Sequence, residues 1–220
     1  RGRHISTPIN EILDEAKYLA LKGVKEVMLI AQDLSYYGLD IAGKQLLPEL
    51  LDELEKIEGI EWIRLHYLYP DKYPVKIISQ IKNSEKICNY LDIPVQHIDD
   101  NVLKSMKRGH SEQFLRDLIK NLRQEIPDIA LRTTILTGFP SETNESFQRL
   151  LDFIAEAKFD RLGAFAYSEE EGTWAANNIP DTISDEEKQE RVQKIMDLQS
   201  QISFEMNQKR IGKTLKVLTD

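Results

Sequence analysis

Val24-Lys25-Glu26-Val27-Met28-Leu29-Ile30-Ala31 is an apolar run of β type, and it stands directly behind a helix. The helix is read over residues 9 to 22, where Ile9, Ile12, Leu13, Ala16, Leu19 and Ala20 recur at helical spacing. Thr7 can cap it, Pro8 suits its first position, and Gly23 ends it. The same alternation continues outward. A helix runs from Gln45 to Glu58 and stops at Gly59, and a strand follows from Ile60 to Leu68. Next come a helix at Val75 to Lys82, a strand at Ile87 to Val95, and helices at Asn101 to Lys107 and Ser111 to Glu125. Ile129 to Thr137 is a strand, Phe147, Leu150, Leu151, Ile154 and Ala155 mark an amphipathic helix, and Arg161 to Tyr167 is a short strand. Glu169 to Ile183 reads as a loop, and the capping box Ser184…Glu187 opens a long helix to Lys209. Strands separated by helices cannot join as hairpins. They imply right-handed βαβ crossovers and a parallel sheet, in a barrel or a doubly wound form.

Composition narrows the class. The 37 Asp and Glu outweigh the 29 Lys and Arg, for a net charge of −8, which speaks against broad nucleic-acid binding and suits a basic protein partner. No apolar run approaches the length of a membrane helix. Arg1-Gly2-Arg3-His4 is basic but has no apolar stretch behind it, so no signal peptide is read. The one cysteine, Cys88, excludes an internal disulfide framework and a self-contained thiolate metal site. A cytoplasmic location is expected. Phosphate-loop, Gly-x-Gly-x-x-Gly and His-Glu-x-x-His motifs are all missing.

In parallel α/β barrels the working residues lie where strands end. The first strand is followed by Gln32 and Asp33, the second by His66, Tyr67 and Tyr69, the third by Gln96, His97 and Asp99. Along and after the fourth lie Arg132, Thr133, Thr134, Gly138 and Glu142; at the fifth are Tyr167 and Glu169 to Glu171. Polar groups at one end of every strand predict a pocket for a polar ligand. Arg132, a charge inside a β run, must be paired, by a structural ion pair or by a ligand carboxylate. His66 and His97 taken singly read as hydrogen-bonded rim residues, and Cys88 as a core residue. Residue chemistry alone reaches an α/β barrel with a polar pocket, an enzyme by expectation.

Five strings carry a resemblance. They are Arg1 to Pro8, Tyr90-Leu91-Asp92-Ile93-Pro94-Val95-Gln96-His97, Ser105-Met106-Lys107-Arg108-Gly109, Gly138-Phe139-Pro140-Ser141-Glu142-Thr143, and Phe165-Ala166-Tyr167-Ser168 followed by Glu171-Gly172-Thr173. In this order they resemble the radical S-adenosylmethionine methylthiotransferases over essentially the whole chain. The resemblance implies a partial, open parallel βα barrel of the radical SAM type. In that family a Cys-x3-Cys-x2-Cys loop ahead of the Arg-Gly-Arg segment holds a [4Fe–4S] cluster. The expectation is therefore a radical SAM core over residues 1–211 that lacks its first strand and cluster loop, with residues 212–220 as the start of a TRAM-like β-domain. The fragment alone would be inactive. Two [4Fe–4S] clusters would be held by cysteines outside the chain.

The resemblance also implies roles. Gln32 and Asp33 would meet the methionine amino group of S-adenosylmethionine and Arg132 its carboxylate, a bidentate match for a guanidinium. Gln96 and His97 would face the ribose, Thr134 and Gly138 would line the adenosine, and Phe165 and Tyr167 would flank the adenine. Substrate would enter past His66, Tyr67 and Tyr69. No residue is read as a proton-transfer catalyst or a metal ligand. Arg132-Thr133-Thr134, the acidic Glu169-Glu170-Glu171 loop and Leu65-His66-Tyr67-Leu68-Tyr69-Pro70 look like the branch that methylthiolates an aspartate β-carbon of a basic small-subunit ribosomal protein, drawing electrons from a donor. Ser141 departs from the glycine usual there. Two alternatives stand beside this: a tRNA adenosine methylthiotransferase, and a non-catalytic protein-binding barrel.

Overall fold

The structure is a computed structural model that describes residues 3–70 and 75–218. Arg1 and Gly2 of the opening string, and Thr219 and Asp220 of the expected β-domain start, lie outside the described residues. The chain forms two compact units. One is built from the residues up to Ile93, with Leu122–Ile129 and the residues from Leu215 onward; the other from Pro94–Asn121 and Ala130–Thr214.

The first unit opens with α1 (Ile9–Leu21) and β1 (Glu26–Leu29). A 3-10 turn (Leu34–Tyr36), α2 (Leu39–Ala42) and α3 (Leu47–Leu54) lead to β2 (Trp62–Leu65). Then come α4 (Lys76–Asn83) and β3 (Tyr90–Asp92). Strands β1 and β2 pair in parallel, with Val27 opposite Ile63 and Leu29 opposite Leu65. A parallel bridge from Ile63 to Ile87 continues the set toward β3. Leu47, Leu50, Leu51 and Leu54 bury one whole face of α3, and Ile63, Leu65, Ile77 and Ile81 are as deeply hidden. Each such side chain contributes ~1.5–3 kcal/mol relative to exposure. That apolar face turns eight residues into a stable helix despite their length.

The expected alternation is present, with shorter strands. Tyr67 and Gln96 stand at φ 57° and 69°, in the left-handed region where an extended strand cannot continue. Tyr67 stands inside the expected Ile60–Leu68 run, which is cut to Trp62–Leu65; Ile87–Val95 shrinks to Tyr90–Asp92, with Pro94 lacking a ladder donor just beyond, and Gln96 stands past its expected end. Thr7 does not cap α1; Pro8 stands at the cap without a side-chain bond. The reason is a competing anchor. Ser6 N–H donates to Asp40 (2.7 Å), Gly38 N–H donates to Ser6 Oγ (3.0 Å), and the Tyr37 hydroxyl donates to the Thr7 carbonyl (2.8 Å). Gly38 is needed there, since a Cβ would stand 2.5 Å from Leu46 Cγ.

The second unit contains α5 (Asp100–Ser105) and most of α6 (Glu112–Glu125), whose last turn belongs to the first. It continues through β4 (Ala130–Thr137), α7 (Asn144–Ala157), β5 (Arg161–Ala166), α8 (Trp174–Asn178) and α9 (Asp185–Gln208). Strands β4 and β5 pair in parallel, with Thr134 opposite Gly163. Burial alternates along β4: Leu131, Thr133, Ile135 and Thr137 are hidden, while Arg132, Thr134 and Leu136 are half-exposed. Phe153 and Phe159, 5.8 Å apart edge to face, anchor this core with Leu150, Ile154 and Ile195. The expected loop 169–183 carries the short α8. The strand-like run at Lys213–Leu218 is not in a strand; within the first unit, Lys216 reaches Glu61 at 2.9 Å.

Candidate functional site

In the second unit, the chain behind β3 is spliced onto β4. Gln96 N–H donates to the Thr134 carbonyl and Leu136 N–H to the Gln96 carbonyl, both at 2.8 Å. Its left-handed backbone is a strained conformation for a non-glycine residue, of the kind that clusters at ligand sites. Parallel register puts Arg161, Gly163 and Phe165 beside Arg132, Thr134 and Leu136 on one half-exposed face. Arg132, Thr134 and Phe165, expected from sequence to share a site, are thus brought together. Phe165 is 59% exposed, and a Cβ at Gly163 would meet only the Phe165 ring, at 3.6 Å. Tyr167 packs edge to face on Phe139 at 5.0 Å, and its buried hydroxyl has no hydrogen-bond partner among the described residues. Burial pushes that phenol up, and the charges of Glu169 and Asp181 add to it.

His97 and Gly138 are occupied otherwise than expected. His97 is fully buried. Its Nδ1 accepts the Asp99 N–H (3.0 Å), so the ring proton lies on Nε2, which donates to Glu142 Oε2 (3.1 Å). Glu142 also accepts from Thr137 Oγ1 (3.0 Å), from Gly138 N–H (3.1 Å) and from the Arg191 guanidinium. Burial would raise its carboxyl, but the bonds from His97, Gly138 and Arg191 overcome this and hold it below the usual carboxylate range. Gly138, at φ 74°, has its open side filled by the Lys188 stem, 2.4 Å from where a Cβ would be. Arg191 extends the network to Asn144 Oδ1 (3.0 Å) and Glu187. This carboxylate, its lone pairs engaged, ties together the segment behind β3, the end of β4 and helix α9. It is built to hold geometry.

Arg191 and Lys188 were not singled out from sequence. A signal existed: Lys188, Arg191, Ile195, Gln199 and Ile202 are the buried residues of α9, at spacings of three and four. Three of the five are polar, so the stripe does not look apolar.

In the first unit, Gln32 is exposed just past β1. Asp33 caps the 3-10 turn: its Oδ1 accepts Ser35 N–H (2.9 Å) and Ser35 Oγ–H (2.6 Å). His66 and Asp92 lie at neighbouring strand ends, with Nδ1 3.4 Å from a fully buried carboxylate oxygen. The His66 ring lies beside Tyr67 (6.1 Å) and Tyr90 (5.5 Å). Tyr69 is half-buried, and its N–H is 3.4 Å from Asp33 Oδ1. Cys88 is half-buried, and burial raises its thiol, only partly offset by Arg64. Among the described residues no group of three His, Cys, Asp or Glu could hold a metal ion, and no helix is long and apolar enough to cross a membrane.

The comparisons agree with this fold. Residues 1–154 match the radical SAM superfamily, and the chain belongs to it. Its relatives include proteins named ribosomal protein uS12 methylthiotransferase RimO. That of Christiangramia forsetii is 51% identical over all 220 residues, which are 49% of the relative, and that of Bacteroides thetaiotaomicron is 49% identical over 219 residues, 50% of its length. The chain thus spans about half the length of the curated relatives it matches. Among solved structures, coproporphyrinogen III oxidase (HemN) from Escherichia coli aligns with a TM-score of 0.65 at 20% identity, over 88% of this chain and 46% of that one. Methylornithine synthase (PylB) aligns at 0.60 and 19%, over 90% and 56%. These likenesses show the fold: an α/β, partial parallel βα barrel of the radical SAM type.

The superfamily implies S-adenosylmethionine and a [4Fe–4S] cluster. The donor set on the β4–β5 face fits the first: a guanidinium for a carboxylate, a hydroxyl for a ribose, an exposed aromatic ring over an open glycine for a base. It does not fit the second, since one half-buried, protonated thiol cannot replace the thiolates such a cluster requires.

Proposed function

We propose that this chain is the S-adenosylmethionine-binding core of a methylthiotransferase that modifies the β-carbon of an aspartate in a basic small-subunit ribosomal protein. The observation that carries the reading is the roughly half-identical match of the entire chain to proteins bearing that name. The half-exposed face of Arg132, Thr134 and Phe165 supports it, because those groups match the parts of the cofactor. When bound, S-adenosylmethionine supplies hydrogen-abstracting capacity on one-electron reduction, and the methyl group. Arg132 takes the methionine carboxylate. Gln96 and Thr134 face the ribose, and Phe165 covers the adenine. His97 and Gly138 serve by position, since their polar atoms go to Asp99 and Glu142. Tyr167 backs this face.

His66, Tyr67 and Tyr69 border the substrate's path. Two [4Fe–4S] clusters, held by cysteines outside these residues, and an electron donor complete the enzyme, which works in the cytoplasm beside the ribosome. Residues 1–211 are the core, and 212–220 lead into a TRAM-like domain. The acidic surface suits a basic protein substrate over tRNA.

The test is full-length protein reconstituted without oxygen and given reductant, S-adenosylmethionine, the ribosomal protein and bulk tRNA together. A mass gain on the ribosomal aspartate is expected. A gain on tRNA adenosine instead would overturn the substrate. If well-reconstituted protein formed neither product nor deoxyadenosine, a non-catalytic protein-binding barrel would replace the enzyme.

A further inference from the structure

The His66 ring is tied at one nitrogen and open at the other. Nδ1 faces the Asp92 carboxylate at 3.4 Å, and Asp92 is fully buried on β3. Nε2 is shielded from solvent and has no hydrogen-bond partner among the described residues. Buried polar atoms are nearly always bonded, so each exception asks for a partner the protein does not itself supply. Tyr67 and Tyr90 flank the His66 ring at 6.1 and 5.5 Å, and the Arg64 guanidinium lies 4.9 Å over the Tyr90 ring. Tyr67 itself is held in the left-handed region, a strain that persists where surrounding structure enforces it.

We infer that His66, oriented by Asp92, is the residue that recognises the carboxylate of the substrate's side chain. This deepens, and rests on, the reading that the substrate is an aspartate. The charge logic is direct. A ring whose Nδ1 faces Asp92 has one polar atom left for a ligand, Nε2, and that atom donates to a carboxylate when both ring nitrogens carry protons. A hydrogen bond from a charged donor to a carboxylate is among the strong ones, and a ligand carboxylate completes it. An asparagine in the same place offers a neutral amide and loses the charge assistance. Asp92 is the positioning residue; His66 touches the ligand.

The experiment uses full-length protein loaded with S-adenosylmethionine. It is titrated with the ribosomal protein uS12 carrying either the target aspartate or an asparagine in its place. The wild-type protein is expected to bind the aspartate form at least ~10-fold more tightly. His66→Phe should bring that ratio close to one. His66→Gln, which keeps an N–H at similar reach, should retain part of it. Asp92→Asn leaves the ring in place and should weaken binding of the aspartate form more than that of the asparagine form. An undiminished ratio in His66→Phe with an unaltered melting temperature overturns the inference. So does equal or no weakening of the two forms in Asp92→Asn, which keeps the outcome clear if the phenylalanine variant fails to fold. If the wild-type protein modifies neither form, the proposed activity is what fails. If it modifies the aspartate form while every variant keeps the same preference, only the role of His66 and Asp92 falls.

Discussion

Glu142 accepts hydrogen bonds from four residues, and its loss should be felt as a buried charge network undone. Removing one partner of a buried ion pair costs ~3–5 kcal/mol, because the other charge is left uncompensated. Arg191→Met is therefore expected to lower stability by about that much, with Glu142→Gln somewhat less because the amide keeps some acceptors, as read by urea melts. The pH response follows from the direction of the shift. Glu142 has a folded-state pKa below its unfolded value, so its contribution is complete above the unfolded carboxylate pKa of ~4.3 and is lost as pH falls through the folded value. Melts at pH 7 and in the acid range should show the wild-type protein losing more stability on acidification than Glu142→Gln. Equal losses would mean that Glu142 titrates alike folded and unfolded. Gly138→Ala meets both the Lys188 stem and a φ of 74°, and is expected to cost ~1–3 kcal/mol. Lys188→Ala combined with it should restore only part, since the left-handed backbone remains. Gly138, Glu142 and His97 were legible as strand-end residues because polar types recur there. Their partners were not: Arg191 lies 49 positions from Glu142, and no local pattern links them.

Element by element, the alternation of periods carried the reading well. Helical spacing over residues 9 to 22 and the β run behind it correspond to α1 and β1, and the capping position Ser184 does open α9. Boundaries went astray where the backbone turned: the left-handed Tyr67 stands inside the expected Ile60–Leu68 run, and Pro94, which has no ladder donor, inside Ile87–Val95. Thr7 was displaced as a cap by long-range bonds to residues 37–40, which a local window cannot contain. Two outcomes belong to this scale. Ser184→Ala removes the acceptor for Glu187 N–H and should cost ~1 kcal/mol, seen as a small fall in the melting temperature. Leu51→Ala, at the fully buried face of α3, should cost ~2–5 kcal/mol; a cost under ~1 kcal/mol would mean that α3 is loosely packed.

For the whole chain, charge and cysteine content excluded classes without naming one. Net −8 argued against nucleic acid as the main partner, and a single cysteine against a self-contained metal centre. The family became legible only through five short strings in a fixed order, each too brief to mean much alone. Their order has a physical basis. Three of them include or follow strand ends: Tyr90–His97 at β3, Gly138–Thr143 behind β4, and the string from Phe165 at the end of β5. The chain spans about half the length of the curated relatives it matches, so the proposed activity is tested on the product of the whole gene. The most direct measurement is therefore made in the cell that carries the gene. Small-subunit protein uS12 is purified from an intact strain and from one with the gene disrupted, and the two are compared by intact and fragment mass spectrometry. The account predicts a methylthio group on one aspartate in the intact strain, absent after disruption and restored by the full-length gene. Identical uS12 masses in the two strains, with the methylthio group missing from tRNA adenosine instead, would contradict it.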